Sequence, residues 1–386
     1  MRVLIIGGGI GGLVTAIRLR ALGHEVQVFE AAPVFKAVGA GIGIQANGAR
    51  LLKRWGLKSE LERIGRVAED AVWMHWRDGS EKERAHLLPP DGPFEHVTYL
   101  VHRGELTDML AAQLPPECMH VDHRFVSLSQ DERGVEVMFA NGVRASGDVL
   151  IGADGIHSAV RAAIGIADPV RDAGIAAYRG LVALDEIEHR IPPGPTIWNA
   201  TPLDRDGPPV YFIFYPAGHR YLNVAAYIIG APIEPDVFDA PAEMRAAFAR
   251  QIADAGDLYL EIVSKIGNAF RHRLIDIEPL PVWSSGRVAL LGDAAHAMLP
   301  FLSQGANQGI EDAAVLALSL EATPNDVPGA LRRYYEARRE RAHHVQQGAR
   351  RLRDFIAARY EDYRARANVG IENFVVHDAE TVKLAG

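Results

Sequence analysis

The sequence carries one cysteine, Cys118, in 386 residues. A single thiol cannot close an intrachain disulfide, and no cysteine–histidine cluster stands at zinc-ligand spacing. A reducing, cytoplasmic setting fits that usage, with Cys118 as a half-buried small hydrophobe. Long apolar runs are also missing. None approaches the ~20 residues that a bilayer-spanning helix needs. No secretory leader is expected, because Met1-Arg2 lead straight into an apolar strand. There is no excess of positive charge: 41 Lys and Arg against 49 Asp and Glu give a net charge of −8, which argues against nucleic acid as a partner. Internal repeats and low-complexity tracts are absent. His343-His344 has no carboxylate or cysteine partner at ligand spacing, so no metal site is expected. The remainder is ordinary for a globular chain, 48% hydrophobic and 23% charged. Its length suggests two or three domains, or one with a large insertion, and a core that needs no metal or disulfide staple.

The first thirty residues organise what is there. Arg2 to Ile6 (RVLII) reads as a buried strand. Gly7-Gly8-Gly9-Ile10-Gly11-Gly12 follows, and Leu13 to Leu22 carries apolar residues at helical spacing. Gly23 ends that helix. Glu25 to Phe29 is a second strand, finishing at Glu30. Strand, glycine turn, helix, strand and acid form the βαβ fingerprint of a dinucleotide site. Gly7 permits the tight turn, Gly9 lets a pyrophosphate approach the backbone, and Gly12 lets the helix pack on the strand. The helix N-terminus offers free N–H groups and a positive dipole end to phosphate. Glu30 stands where a carboxylate accepts from ribose hydroxyls, which favours FAD or NAD over NADP.

Ala31 to Ala46 is rich in glycine, including Gly39, Gly41 and Gly43. It reads as a loop or as backbone passing close to a flat cofactor. Asn47 to Trp55 reads as a short helix with Asn47 near its N-cap and Gly56 as its stop. Ala71 to Trp76 alternates and ends at a turn, Asp78-Gly79. Trp73 and Trp76 read as packing or as pocket walls. Lys82 to His96, with Pro89, Pro90 and Pro93, reads as a loop. Tyr99 to Leu114 is a strand running into a helix. Arg103 at that helix start opposes the dipole, unless a bound anion resolves the conflict.

Met119–Val121, Phe125–Gln130, Val135–Phe139 and Val143–Ala145 read as short antiparallel strands. Val149 to Ile151 returns the chain to the first sheet, which makes the hairpin strands an insertion. Asp154-Gly155 turns into a helix with Ser158 and Arg161. Asp154 caps that helix alone, or caps it and also holds a ligand. Tyr178–Leu184, Thr196–Trp198, Val210–Tyr215 and Arg220–Ile229 form a second, mostly antiparallel sheet, broken by clusters such as Pro192-Pro193-Gly194. Alternation puts Tyr211, Ile213 and Tyr215 on one face and Phe212 and Phe214 on the other. Pro241–Ala255 and Leu258–Ile266 read as helices. Arg287 to Leu291 is the last buried strand, followed by Gly292-Asp293-Ala294-Ala295-His296. Ser303 to Gly309 opens a helix to about Leu320. From Pro328 to about Ala367 runs a long helix whose dense Arg and Glu suggest a solvated face. Residues 368–386 give no reading.

The fingerprint, DGIHSAVR (154–161) and GDAAH (292–296) with Pro300 occur in one order over Arg2 to Tyr335. This arrangement resembles the class A flavoprotein monooxygenases, the group of para-hydroxybenzoate hydroxylase, salicylate hydroxylase and 6-hydroxynicotinate 3-monooxygenase. The resemblance implies an α/β fold with α+β insertions. A Rossmann-like FAD-binding domain (1–70, 98–170 and 280–325) interleaves with a mostly antiparallel-sheet substrate domain (71–97 and 171–279), followed by C-terminal helices and tail (326–386). It implies that Gly7, Gly9, Gly12 and Glu30 hold the ADP half of FAD, with Arg103 at the pyrophosphate, and that Ile10, Gly11, Ala31, Gly43 and Val126 also bind the cofactor. Asp154 and Gly155 serve both FAD and NAD(P)H. Asp293 reaches the ribityl and pyrophosphate region. Pro300 and the backbone of Gly305, Ala306 and Asn307 lie against the isoalloxazine.

The implied pocket is lined by Gln45, Tyr215, Phe301, Leu302 and Gln304, with Arg179 facing a substrate carboxylate or a surface partner. The implied activity uses NADH or NADPH and O2 to hydroxylate an aromatic or heteroaromatic ring through a flavin C4a-hydroperoxide, in a pocket that excludes water. A carboxylated phenol or pyridine is the expected substrate; a quinolone, polyketide or polyene is the alternative. An FAD dehydrogenase or oxidase, or a flavin-bound protein without turnover, are the further alternatives. Some relatives carry a histidine base where this chain has Tyr211. That leaves Tyr211, Tyr215, a water chain or the substrate as base, while His296 orders its loop. One GxGxxG implies no separate nicotinamide domain. The expected assembly is a monomer or homodimer.

Overall fold

Val3 to Ile6 are buried at the centre of a six-stranded sheet. A strand covered on both faces is continuously apolar rather than alternating. Arg2–Ile6 pairs in parallel with Glu25–Phe29 on one side and with Val149–Gly152 on the other. Val288–Leu290 adds in parallel beyond Val149–Gly152, and Ser284–Ser285 closes that edge antiparallel. The computed structural model describes residues 1–34, 40–87, 97–167, 169–191, 194–231, 234–358 and 375–384. Gly39, the prolines at 89, 90 and 93, Pro192-Pro193 and the end of the expected long helix lie outside the described residues.

The other edge of this sheet corrects the sequence reading. Met119–His120 is not part of an antiparallel group; it pairs in parallel with Val28 and Phe29. Only Phe125–Gln130, Val135–Phe139 and Arg144–Gly147 form the antiparallel insertion. Cys118, just before this edge strand, is 1% exposed rather than half-buried, and its thiol donates to the Pro115 carbonyl.

The second sheet has seven strands, in the order 270–277, 170–183, 221–229, 210–217, 196–200, 70–74, 81–86. All its pairings are antiparallel except Thr196–Ala200 with Asp70–Met74. Two strands escaped the sequence reading. Glu81–His86, expected as loop, is a charged edge strand whose Arg84 pairs with Asp70 and Glu81. Charged residues at an edge discourage further strand addition. Phe270–Ile277 forms the opposite margin.

The alternation on Val210–Ala217 is realised. Phe212 and Phe214 enter an apolar core with Trp198, Tyr259 and the helices Pro241–Gln251 and Asp257–Ser264. Trp76 belongs to this core, stacked on Tyr259 at 5.3 Å, so it packs rather than lining a pocket. Tyr211 and Ile213 face the other way, towards Leu299, Phe301, Leu302 and the C-terminal helix Val327–Ala357.

Gly41–Ile44 is a strand, not a loop, and pairs with Tyr99–His102. The helix after it spans Ala46–Leu52 with Gln45 as N-cap; Asn47 is buried inside it. Gly56, at φ +87°, breaks the helix, and a further one follows over Lys58–Ile64. The C-terminal helix also differs from expectation. Its charged residues are not all solvated, since Arg338 is 0% exposed.

Candidate active site

The glycine turn has the geometry its spacing requires. Gly7 sits at φ +109°, and a side chain there would collide with the Ala153 carbonyl. A Cβ at Gly12 would strike the Gly7 carbonyl, which is the close helix–strand packing expected. Gly9 meets nothing within 4 Å and leaves an open cradle. It is the N-cap of Ile10–Ala21, and no side chain caps that helix. Ile10 and Gly11 form the first turn, with Gly11 against Leu291. Glu30 accepts from the Gly8 amide of the glycine turn and from the Ala32 amide just beyond Ala31, both at 2.8 Å. Val126 is 52% exposed on its strand.

Four further elements converge on this turn. Asp154 accepts from Ser158 Oγ at 2.5 Å and from the Val160 amide at 3.1 Å, while Ser158 itself is the N-cap. Gly155 turns the chain at φ +80°. Buried Arg161 donates to the Ala294 carbonyl at 3.1 Å and so ties the DGIHSAVR turn to the GDAAH loop. Arg103 opens its helix with an exposed side chain. Lost hydration still lowers its pKa; Asp293 opposes that shift and Arg179 adds to it. Asp293 and Arg179 are thus the charges that act on Arg103. Asp293 is exposed, and its Oδ1 would lie 3.9 Å from a Cβ at Gly305.

Gly305–Ala322 likewise has no side chain capping its N-terminus and no acid in its first turn. Gly305 and Ala306 therefore present free amides and a positive dipole end. Asn307 is buried; it donates to the Gly43 carbonyl at 3.0 Å and accepts from the Gln45 amide at 3.0 Å. Pro300–Leu302 forms a single helical turn, closed by Ser303 at φ +51°.

The pocket wall comes from the seven-stranded sheet. Tyr211 donates to Asn199 Oδ1 at 2.5 Å and stacks on Tyr227 at 6.0 Å. Phe301 meets Tyr227 edge-on at 5.2 Å. Burial pushes the Tyr215 phenol pKa up, with nearby Arg179 only partly offsetting it. Tyr215 is thus a donor at neutral pH, which counts against it as the base. A Cβ on Gly41 would lie 2.7 Å from Tyr215 Cε2, so this glycine allows the two sheets to meet. The Gly41 amide donates to Asn223 Oδ1 at 2.8 Å, leaving buried Asn223 Nδ2 without a partner among the described residues. Arg179 is half-buried, and its buried Nε likewise lacks a partner. His296 does not face this pocket. It is fully buried and paired with Asp312 at 2.6 Å, so it orders its loop as expected.

Sequence reasoning missed Asn199, Asn223 and Tyr227, and the buried Glu311, Asp312 and Arg338. Strand pairing across the second sheet is the signal that brings the first three to Tyr211 and Tyr215.

The uncapped helix N-termini at Gly9 and Gly305, the open cradle at Gly9, and the exposed charges of Arg103 and Asp293 fit an elongated dinucleotide with a diphosphate. Comparison with known proteins agrees. A family model described as an FAD binding domain matches residues 1–349. The chain is 38% identical to a 3-amino-4-hydroxybenzoate 2-monooxygenase of Streptomyces platensis, over 94% of each chain. It is 35% identical to a salicylate hydroxylase of Pseudomonas putida, over 90% of this chain and 84% of that one. Among solved structures, Klebsiella pneumoniae HpxO complexed with FAD and uric acid superposes with a TM-score of 0.83 at 27% identity, covering 98% of this chain and 94% of that one. The chain belongs to this FAD-binding family and is a class A flavin-dependent monooxygenase of the aromatic-hydroxylase type.

Proposed function

We propose that the chain hydroxylates the ring of a small aromatic or heteroaromatic acid, a phenol or pyridine bearing a carboxylate, with NADH or NADPH and O2 as co-substrates. The observation that carries this reading is Arg179. Its buried Nε has no hydrogen-bond partner among the described residues, and its charge is felt at Tyr215, Arg103 and His272. A guanidinium held in that state suits a planar carboxylate, which it can grip through two parallel bonds. Relatives support the class: they are named for 3-amino-4-hydroxybenzoate, 6-hydroxynicotinate and salicylate.

In this reading Gly7, Gly9, Ile10, Gly11, Gly12, Glu30, Ala31 and Val126 hold the adenosine end of FAD. Arg103, Asp154 and Asp293 meet its middle. Gly43, Pro300 and the amides of Gly305, Ala306 and Asn307 meet the ring. Bound FAD supplies reduction by NAD(P)H and activation of O2 for attack by an electron-rich ring. The chain supplies the rest. Tyr211, Ile213, Tyr227, Phe301 and Leu302 form an apolar wall that excludes water. Tyr215 donates its O–H. Tyr211, engaged with Asn199, stands on the same wall. Gln45 and Gln304 close the side next to Leu302. We place the enzyme in a reducing cytoplasm, since its single cysteine can close no intrachain disulfide, and expect a monomer or homodimer.

Arg179→Met tests the reading. FAD content is expected to stay stoichiometric, while KM for a hydroxybenzoate rises about 100-fold, the scale of a lost charged hydrogen bond. A phenol without a carboxylate should be unaffected. Stimulation of wild-type NAD(P)H oxidation by uncarboxylated rings alone would overturn the substrate class.

A further inference from the structure

Gln304 sits among three other side-chain amides, Gln45, Asn47 and Gln308. An amide turned over keeps its shape, so its partners decide which end faces where. Here the partners end in charges. Arg338 is fully buried and has donors only. It donates to Gln308 Oε1 at 2.7 Å. Gln308 must then point its nitrogen the other way, and Nε2 donates to Gln304 Oε1 at 2.8 Å and to Glu311 Oε1 at 3.3 Å.

Glu311 fixes the second approach. Burial opposes its ionisation, but Arg338 and Arg341 hold the carboxyl below its ordinary pKa, so it only accepts. Asn47 Nδ2 donates to it at 2.6 Å and to Gln304 Oε1 at 3.0 Å. Gln304 Oε1 is thus claimed by two donors. Its nitrogen is left to Gln45 Oε1, with Asn47 Oδ1 at 3.3 Å. Gln45 in turn must face outward with its nitrogen, and one N–H reaches the Leu302 carbonyl at 3.1 Å. Each donor in the series Arg338, Gln308, Gln304, Gln45 gives to the next, and the last gives to Leu302. Such a one-way series is self-reinforcing, and turning over any member sets like poles against each other.

We propose that Arg338 and Gln308 are positioning residues for substrate recognition: through Gln304 they fix the Gln45 amide nitrogen-outward, so the pocket offers a donor there and takes a ring substituent that accepts. An oxyanion or carbonyl is admitted at that point in preference to a group that only donates. The inference rests on the reading of Gln45 and Leu302 as pocket lining.

The test uses FAD-loaded enzyme isotopically labelled on glutamine nitrogen. Gln308→Met keeps the side-chain length but removes both its acceptor and its donor. The Gln45 side-chain amide signals, assigned with Gln45→Leu, are expected to shift or split in Gln308→Met. Kd for 3-amino-4-hydroxybenzoate, read by flavin fluorescence, should weaken about tenfold, the scale of one hydrogen bond, with FAD content unchanged and the loss in KM rather than kcat. Arg338→Lys, which retains one charge but not the guanidinium fork, should move the same Gln45 signals if Gln308→Met does not fold. Unmoved Gln45 signals in the variants that fold would overturn the proposal. If Gln45→Leu leaves Kd unchanged while the signals do shift, the amide series stands and it is the placement of Gln45 in the pocket that fails.

Discussion

Acid should loosen the C-terminal strap. Residues 375–384 fold back over the Ala46–Leu52 helix and the turn beyond it. Arg50 donates to the Val376 and His377 carbonyls at 3.3 and 3.2 Å, Arg54 to Asp378 at 2.6 Å, and Trp55 Nε1 to Glu380 at 2.9 Å. His377 is the weak point. Its buried Nε2 has no partner among the described residues. Removal from water lowers its pKa from 6.5 to about 4; Glu311 and Asp378 oppose the shift, and Arg341 and Arg338 reinforce it. A histidine with a depressed folded pKa binds its proton more readily once released. Stability of the strap is therefore full above pH 6.5 and falls as the pH drops towards 4. At pH 5 those two values give a loss of about 2 kcal/mol, or about 30-fold in the opening equilibrium. Hydrogen exchange of peptides spanning 375–384, corrected for intrinsic rate, reads this directly between pH 7 and 5. His377→Asn should abolish the slope. Asp378, whose pKa is lowered, loses its contribution only below the ordinary carboxylate range, so it does not enter this window. Protection that stays constant from pH 7 to 5, or an equal slope in His377→Asn, would refute the reasoning.

Asp293→Ala should purify colourless, because its exposed carboxylate stands beside the uncapped helix at Gly305; stoichiometric yellow cofactor through purification would count against it. Gly41→Ala should cost about 1–3 kcal/mol in urea denaturation, because its Cβ lands 2.5 Å from Asn223 Cβ; an unchanged midpoint would show that the two sheets can part freely. Arg338→Met should cost about 3–5 kcal/mol, since it leaves Asp312 with only His296 and the Gly292 amide and strips one partner from Glu311. In the native protein burial raises the Asp312 pKa, but His296 and Arg338 outweigh it and bring the value from 3.8 down to about 2. That stability is present above pH 3.8 and is lost as the pH falls towards 2. Arg338→Met should therefore raise the acid-unfolding midpoint followed by circular dichroism.

The nucleotide half of the molecule was legible because its determinants are local. Gly7, Gly9 and Gly12 act within one turn, and the acid that braces them, Glu30, follows the next strand directly. Each carries its meaning in backbone geometry that nearest neighbours impose. The alternation of Tyr211 to Tyr215 was legible for the same reason. Met119–His120 was not. Two residues are too few to show whether a strand runs parallel or antiparallel, and only its docking on Glu25–Phe29 decides it. Glu81–His86 failed because five of its six residues are polar or charged, which leaves no apolar period to read.

Charge burial is the clearest case of information that lies between segments. Arg338 sits in a run of arginines and glutamates that any local reading puts in water. It is buried because Glu311 and Asp312, one helix earlier, stand at 2.6 and 2.7 Å from its nitrogens and accept its donors. Neither helix alone predicts that, since an unpaired buried charge costs far more than a solvated one. Arg179 is the converse. Its strand places it on the pocket face opposite Ala225, yet its buried Nε has no partner among the described residues. A protein that satisfies Arg338 four times over, through Glu311, Asp312 and two oxygens of Gln308, has no shortage of acceptors for a buried guanidinium. In the proposed reading the partner of Arg179 is the substrate carboxylate, which is why substrate class is read from that cation.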